Sequence, residues 1–106
     1  MTTLSTHVLD AALGRPAAGL DVVLLDADSD RLETATTDAD GRVRLATVVE
    51  PGDYTVGFGT GRWFAAQERD TFFPHVAVAF TVTADQPHYH VALLLSPFSY
   101  TTYRGS

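Results

Sequence analysis

Three histidines and one arginine are the residues of this sequence best suited to chemistry. His88 and His90 flank a tyrosine in "HYH", His7 stands in "LSTHVLD", and Arg42 directly follows an Asp-Gly pair. An imidazole titrates near pH ~6.5, so a placed histidine can take or give a proton at neutral pH. A guanidinium is a fixed cation that can polarise a carbonyl or hold an oxyanion. Plainer readings compete with these. A single strand histidine is usually a surface or hydrogen-bonded group, and an arginine after Asp-Gly is usually an exposed strand opener. His88 and His90, spaced i and i+2, could face one metal, but zinc sites want three or four ligands and the sequence holds no cysteine. His75, in "FFPHV", follows a proline turn and reads as a solvated loop residue, while Arg15 and Pro16 read as turn chemistry. With no cysteine and no G-x-S-x-G elbow, no protein nucleophile stands out, and any hydrolysis would use water directly.

The sequence closes on "TTYRGS", where Tyr and Thr favour a strand and Arg104, Gly105 and Ser106 follow. Either these residues form a loose end or they reach into a site.

Such groups act together only if the fold brings them together. A chain of 106 residues suits one domain, residues 1–106, with a core that needs no staples. No apolar run approaches the ~20 residues of a membrane span, and "MTTLSTHVLD" lacks the features of a signal peptide, so a cytoplasmic protein is expected. The net charge of −6 excludes the basic stripe of a nucleic-acid binder. A small substrate could still meet local arginines, because a site's field depends on its nearest charges.

The punctuation is that of a β protein. Runs rich in Val, Thr, Leu, Phe and Tyr are split by turn signals every ~8–12 residues. "LSTHVLD", "DVVLLDAD", "RLETATT", "RVRLATVV", "YTVGFG", "VAVAFTV", "HYHVALLLS" and "YTTYR" read as strands, and "DADG" (38–41) as a turn. "RWFAAQER", Arg62 to Arg69, reads as the one helix. The expectation is an all-β, two-sheet sandwich with one short helix.

Strand side chains alternate between faces. Tyr89, Val91, Leu93 and Leu95 therefore share the better core face, and His88, His90, Ala92 and Leu94 the other. The second set is too apolar for a solvated face and is expected to be covered, with a partner subunit as a natural cover. His7 shares its face with Ser5 and Leu9, and Tyr103 lies with Thr101, opposite Thr102 and Arg104. Composition and spacing alone would leave a soluble β-sandwich.

"LSTHVLD…GRPA", "TTDADGR", "FFPHVAVAF" and "HYHVALLLSPFSYTTYRGS" together closely resemble the 5-hydroxyisourate hydrolase family, the transthyretin-like enzymes of purine breakdown, from Leu4 to Ser106. The resemblance implies a transthyretin-like sandwich of two four-stranded sheets, assembled as a homotetramer, a dimer of dimers, whose central channel carries the active sites. It implies hydrolysis of 5-hydroxyisourate to 2-oxo-4-hydroxy-4-carboxy-5-ureidoimidazoline, with no cofactor, metal, nucleic acid or membrane involved. Carried over residue by residue, the family's catalytic groups fall on His7, Arg42 and His90, and its substrate-binding signature on Tyr103, Arg104, Gly105 and Ser106. His88 takes no catalytic place and is left at the rim, and Arg104 is expected to act through a neighbour. The chain departs from the family at Ala92, usually Pro, and Ser99, often Gly, and neither change removes a functional group. The alternative is a transthyretin-type carrier holding a small aromatic ligand in the same channel. Vertebrate transthyretin lacks the set His7, Arg42, His90 and the YRGS end, which favours the enzyme.

Overall fold

The computed structural model describes residues 2–106, which form a two-sheet β-sandwich with one short helix. In chain order the elements are β1 Thr3–Asp10, β2 Arg15–Pro16, β3 Asp21–Leu25, β4 Arg31–Thr36, β5 Arg42–Arg44, β6 Gly52–Phe58, α1 Thr60–Ala65, β7 Val76–Val82, β8 His88–Ser96 and β9 Ser99–Gly105. One sheet runs β4-β3-β6-β7. The other runs β2-β1-β8-β9, with β5 also on β1. β2 pairs with Leu9 and Asp10, and β5 with Ser5 to His7, so the two short strands share one edge of β1 end to end. That sheet is therefore four strands wide along its length. Arg15 and Pro16, read from sequence as turn chemistry, thus form a minimal edge strand, a position that tolerates proline's missing donor.

The core follows from alternation. Leu4 and Val8 of β1 and Val91, Leu93 and Leu95 of β8 point inward and are buried. They meet Val22, Leu24, Val56, Phe58, Val76 and Val82 of the facing sheet. Each such side chain contributes about 1.5–3 kcal/mol when fully buried. Thr6, inward and fully buried, donates its hydroxyl to the Val91 carbonyl at 2.7 Å, so it adds no unpaired group to the core.

The helix lies earlier than the sequence suggests: Thr60–Ala65, not Arg62–Arg69. Gly61 stands in its first turn, where a side chain would not fit because a Cβ would run into the Pro74 carbonyl. The later residues leave the helix where Glu68 adopts a positive φ of 55° and the Arg69 amide donates back to the Phe64 carbonyl. Phe64 is fully buried, and Trp63 Nε1 donates to the Ala18 carbonyl at 2.8 Å, fixing the helix across the sandwich end.

Arg69 then reaches the end of β1. Its Nη1 lies 2.8 Å from Asp10 Oδ2, and Asp10, 1% exposed, also accepts from the Ala12 and Leu13 amides. Burial alone would raise this carboxyl's pKa, but the Arg69 hydrogen bond and the two amides outweigh it and hold it below the ordinary value. Its stabilising contribution is thus present above the unfolded carboxylate's ~3.9 and is lost as pH falls through the depressed value. Replacing Arg69→Met leaves the buried carboxylate short of one charged donor. It should cost about 1–3 kcal/mol in urea unfolding at pH 7, with the loss shrinking once Asp10 is protonated.

Candidate active site

The site stands on the outward face of β1 and β8, which run parallel, with Thr3 beside His88, Ser5 beside His90 and His7 beside Ala92. The register puts all of these side chains on one face, joining the His7/Ser5 set and the His88/His90 set that parity along each strand defines separately. Their rings are linked rather than merely adjacent. Thr3 Oγ1 lies 2.6 Å from His88 Nδ1, Ser5 Oγ 2.8 Å from His88 Nε2, and the same oxygen 2.7 Å from His90 Nδ1. The His7 and His90 rings lie 6.4 Å apart, centre to centre.

Arg42 reaches this face by turn chemistry. Asp38 Oδ1 accepts from the Asp40 and Arg42 amides at 2.9 and 3.0 Å, and Gly41 turns with a φ of 74°. A Cβ on Gly41 would strike the Val8 carbonyl, so only glycine lets the turn close against β1. β5 then pairs Arg42 with His7 and Arg44 with Ser5.

β9 supplies the third wall. It pairs Gly105 with His90 and Tyr103 with Ala92. A Cβ on Gly105 would stand 2.5 Å from His90 Cδ2, so the glycine of the closing tetrapeptide is the space in which the imidazole sits. Ser106 follows, and an open cavity of about 410 Å³ is lined by Ser5, Arg42, Arg44, His88, His90 and Ser106 among others. A neighbouring cavity of about 450 Å³ adds Tyr103, Arg104 and Gly105 around the same two histidines. Both fall within the ~300–1,000 Å³ of small-molecule sites.

The structure thus gathers His90, Arg42 and Ser106 around one space, with His7 beside His90 and Tyr103 and Gly105 along the adjoining wall. Arg104 differs. It alternates to the other face with Val91, and its guanidinium lies 5.9 Å from the centre of the Tyr89 ring. His88, left at the rim by sequence, is tied to His90 through Ser5. Both of its nitrogens are occupied by hydroxyls rather than free to share a metal with His90. Thr3 and Ser5 were missed as site residues, although their i, i+2, i+4 spacing with His7 was the available signal.

Burial pushes the His90 pKa down, and the neighbouring His7, Arg42 and His88 push it further, so this imidazole favours its neutral, basic form. The site can therefore present a base beside a guanidinium.

Residues 4–105 match the profile of the HIUase/Transthyretin family. The chain belongs to that family. It is 46% identical to the 5-hydroxyisourate hydrolase of Salmonella typhimurium, over 97% of this chain and 80% of that one. Among solved structures it superposes on Klebsiella pneumoniae 5-hydroxyisourate hydrolase with a TM-score of 0.91, at 36% identity, over 99% of this chain and 100% of the other. It superposes on sea bream transthyretin in complex with thyroxine with a TM-score of 0.89, at 33% identity, over 96% and 93%. Two differently named members share the fold, so the fold alone does not choose between their activities.

The shift of His90 has a sign that can be checked. The unfolded histidine binds its proton near ~6.5. The folded one binds it only at lower pH, so its contribution to stability is complete above that value and is lost as pH falls through the depressed one. Histidine NMR titration should place the His90 midpoint below the ordinary value. In Gly105→Ala the same spectra should show a displaced His90 ring. An unshifted His90 resonance in that variant would contradict the close approach.

Proposed function

We propose that this chain is a 5-hydroxyisourate hydrolase that opens the six-membered lactam of its substrate by direct attack of water. The observation that carries this reading is the shared cavity of His90, Arg42 and Ser106, with His7 beside it and no Asp or Glu side chain among the residues that line it. Two imidazoles whose centres are 6.4 Å apart can both hydrogen-bond one water between them. One of them, acting as general base, takes the water's proton as its oxygen bonds to the ring carbonyl carbon. Arg42 stabilises the oxyanion that forms, a role for which a fixed cation costs no reorganisation. The carbon–nitrogen bond then breaks, the nitrogen receives the proton, and the carbonyl carbon leaves as the carboxylate of 2-oxo-4-hydroxy-4-carboxy-5-ureidoimidazoline. Tyr103, Gly105 and Ser106 hold the substrate against this pair, and Arg104 supports them from the other face over Tyr89.

The alternative is a carrier of a small aromatic ligand, as the thyroxine complex of sea bream transthyretin illustrates. Carrier pockets for aromatic ligands are lined mainly by apolar groups. This cavity is lined by two arginines, two histidines and two serines, which favours the hydrolase.

The family resemblance supports a homotetramer, a dimer of dimers, in which such faces oppose each other across a channel. Half-buried Leu9 and Leu94 and exposed Tyr103 on this face are consistent with a covering partner. Light scattering on the purified protein should give about four chain masses.

The decisive assay generates 5-hydroxyisourate with urate oxidase and follows the decay of its ultraviolet absorbance. Wild type should accelerate the decay, and an unaccelerated rate would remove the hydrolase reading. His7→Ala and His90→Ala should each lower kcat by ~10²–10⁴-fold. Arg42→Ala should lower it by ~10²–10³-fold, all three with folding retained. Deleting Arg104 to Ser106 should reduce kcat/KM far more than it lowers Tm.

A further inference from the structure

Ser5 owns one hydroxyl hydrogen but stands between two imidazole nitrogens, 2.8 Å from His88 Nε2 and 2.7 Å from His90 Nδ1. A hydroxyl can donate to only one of them, so the other ring must donate to its oxygen. The tautomers of His88 and His90 are therefore coupled. If Ser5 donates to His88, His90 carries its hydrogen on Nδ1 and keeps a bare, basic Nε2. If Ser5 donates to His90, His90 carries its hydrogen on Nε2 and becomes an acid there. Thr3 completes the line: its Oγ1 lies 2.6 Å from His88 Nδ1 and 3.4 Å from the Pro87 carbonyl, which can take its hydrogen. With Thr3 donating to Pro87, every contact is satisfied in the first arrangement, the one a general base needs; with Thr3 donating to His88 Nδ1, the three imidazole contacts are satisfied in the second as well.

We propose that Ser5 and His88 are positioning residues that, with Thr3, form a proton relay behind His90, setting its tautomer and receiving the charge when it acts as base. The relay's catalytic use rests on the hydrolase reading, whereas the coupling of tautomers does not. In the forward step a proton passes from the attacking water to His90 Nε2 as the water oxygen bonds to the carbonyl carbon. The His90 Nδ1 hydrogen moves to Ser5 Oγ, and the Ser5 hydrogen to His88 Nε2. His90 is then neutral with its hydrogen on Nε2, and His88, still holding its Nδ1 hydrogen against Thr3, is the imidazolium. In the return step His90 Nε2 gives its proton to the departing nitrogen and each hydrogen of the relay moves back. The net transfer is one proton from water to the leaving nitrogen, with the relay restored.

The surroundings explain why such a relay is useful. His90 faces His7 of β1, Arg42 and Arg44 of β5, and His88 of β8, and shares its second cavity with Arg104 of β9, whose guanidinium lies over Tyr89. No Asp or Glu side chain is among the groups lining the cavity to stabilise an imidazolium at His90. Passing the charge to His88 places it one hydroxyl farther back.

The test combines ¹⁵N-resolved histidine NMR with steady-state kinetics on wild type, Ser5→Ala, Ser5→Thr, His88→Phe and the Ser5→Ala/His88→Phe double variant, each checked for an unchanged fold by its Tm. Above the histidine titration range, wild type should show His90 with its hydrogen on Nδ1. Ser5→Ala should move it toward Nε2. In the urate oxidase assay, Ser5→Ala and His88→Phe should each lower kcat about 10–100-fold with KM within about twofold. That is short of the ~10⁴-fold cost of a catalytic histidine locked in the wrong tautomer, because water can replace part of the relay. Ser5→Thr, which keeps the hydroxyl, should restore most of kcat, and the double variant should be no worse than either single one, as for residues acting as a unit. An unchanged His90 tautomer in Ser5→Ala, or losses that multiply in the double variant, would overturn the relay. A wild type that does not speed the decay of 5-hydroxyisourate would overturn the hydrolase reading and the relay's catalytic use with it, while the spectra would still decide the tautomer coupling.

Discussion

The parallel ladder between β1 and β8 is the constraint on which the rest depends, because its register decides which side chains can meet. It runs unbroken from Thr3 beside His88 to Asp10 beside Leu95. Inward, it stacks Leu4, Thr6 and Val8 with Tyr89, Val91 and Leu93, the centre of the core. Outward, the alternate pairs, Thr3 with His88 and Ser5 with His90, set two hydroxyls against two imidazoles. A slip of one residue would send Leu4 and Val8 to the surface and His7 into the core. The burial of the inner face therefore holds the outer face in register, and the site draws on the core's stability rather than on contacts of its own.

Sequence reasoning read the faces well, because alternation along a strand is a local property. His7 with Ser5, His88 with His90, and Tyr103 opposite Arg104 all followed from parity. What it could not read was the neighbour across each strand. Ser5 and His90 are 85 positions apart, and nothing in either strand specifies that they pair. The relay was invisible for that reason, and His88 was left at the rim although both its nitrogens are engaged. The helix was misplaced for a related reason. Gly61 is locally a poor helix residue, while the close approach of Pro74 that requires a glycine there comes from a loop 13 positions on. The two-residue strand at Arg15 and Pro16 exists only because β1 offers it an edge.

Backbone rather than side chain does much of the positioning. Gly41 lets the Asp38 turn close on Val8, and this sets Arg42 beside His7. Gly105 leaves the volume that the His90 ring fills. In both places a glycine sits next to the residue whose placement matters, and in both the added Cβ would meet atoms of β1 or β8. The tetrapeptide Tyr103 to Ser106 thus divides its labour: Tyr103 and Ser106 line the cavities, Gly105 admits the imidazole, and Arg104 borders the second cavity while its guanidinium lies over Tyr89.

The charge distribution fits this arrangement. The chain carries 13 acidic residues against seven arginines, yet no Asp or Glu side chain is found among those lining the cavity of Arg42, Arg44, His88 and His90. Several carboxylates are instead held by backbone amides elsewhere. Asp26 accepts from Asp28 and Asp30, Glu33 from Ala46 and Thr47, Asp38 from Asp40 and Arg42, and Asp10 from Ala12 and Leu13 as well as Arg69. Negative charge spent on turns and loops leaves the outer face of β1 and β8 locally positive within an acidic protein. An Asp or Glu side chain beside His90 would raise the pKa of the ring, drawing a proton onto it, and would pair with Arg42. Without one, the imidazole stays unprotonated and able to accept a proton, and the guanidinium stays free for an oxyanion, the pairing that hydrolysis by water requires.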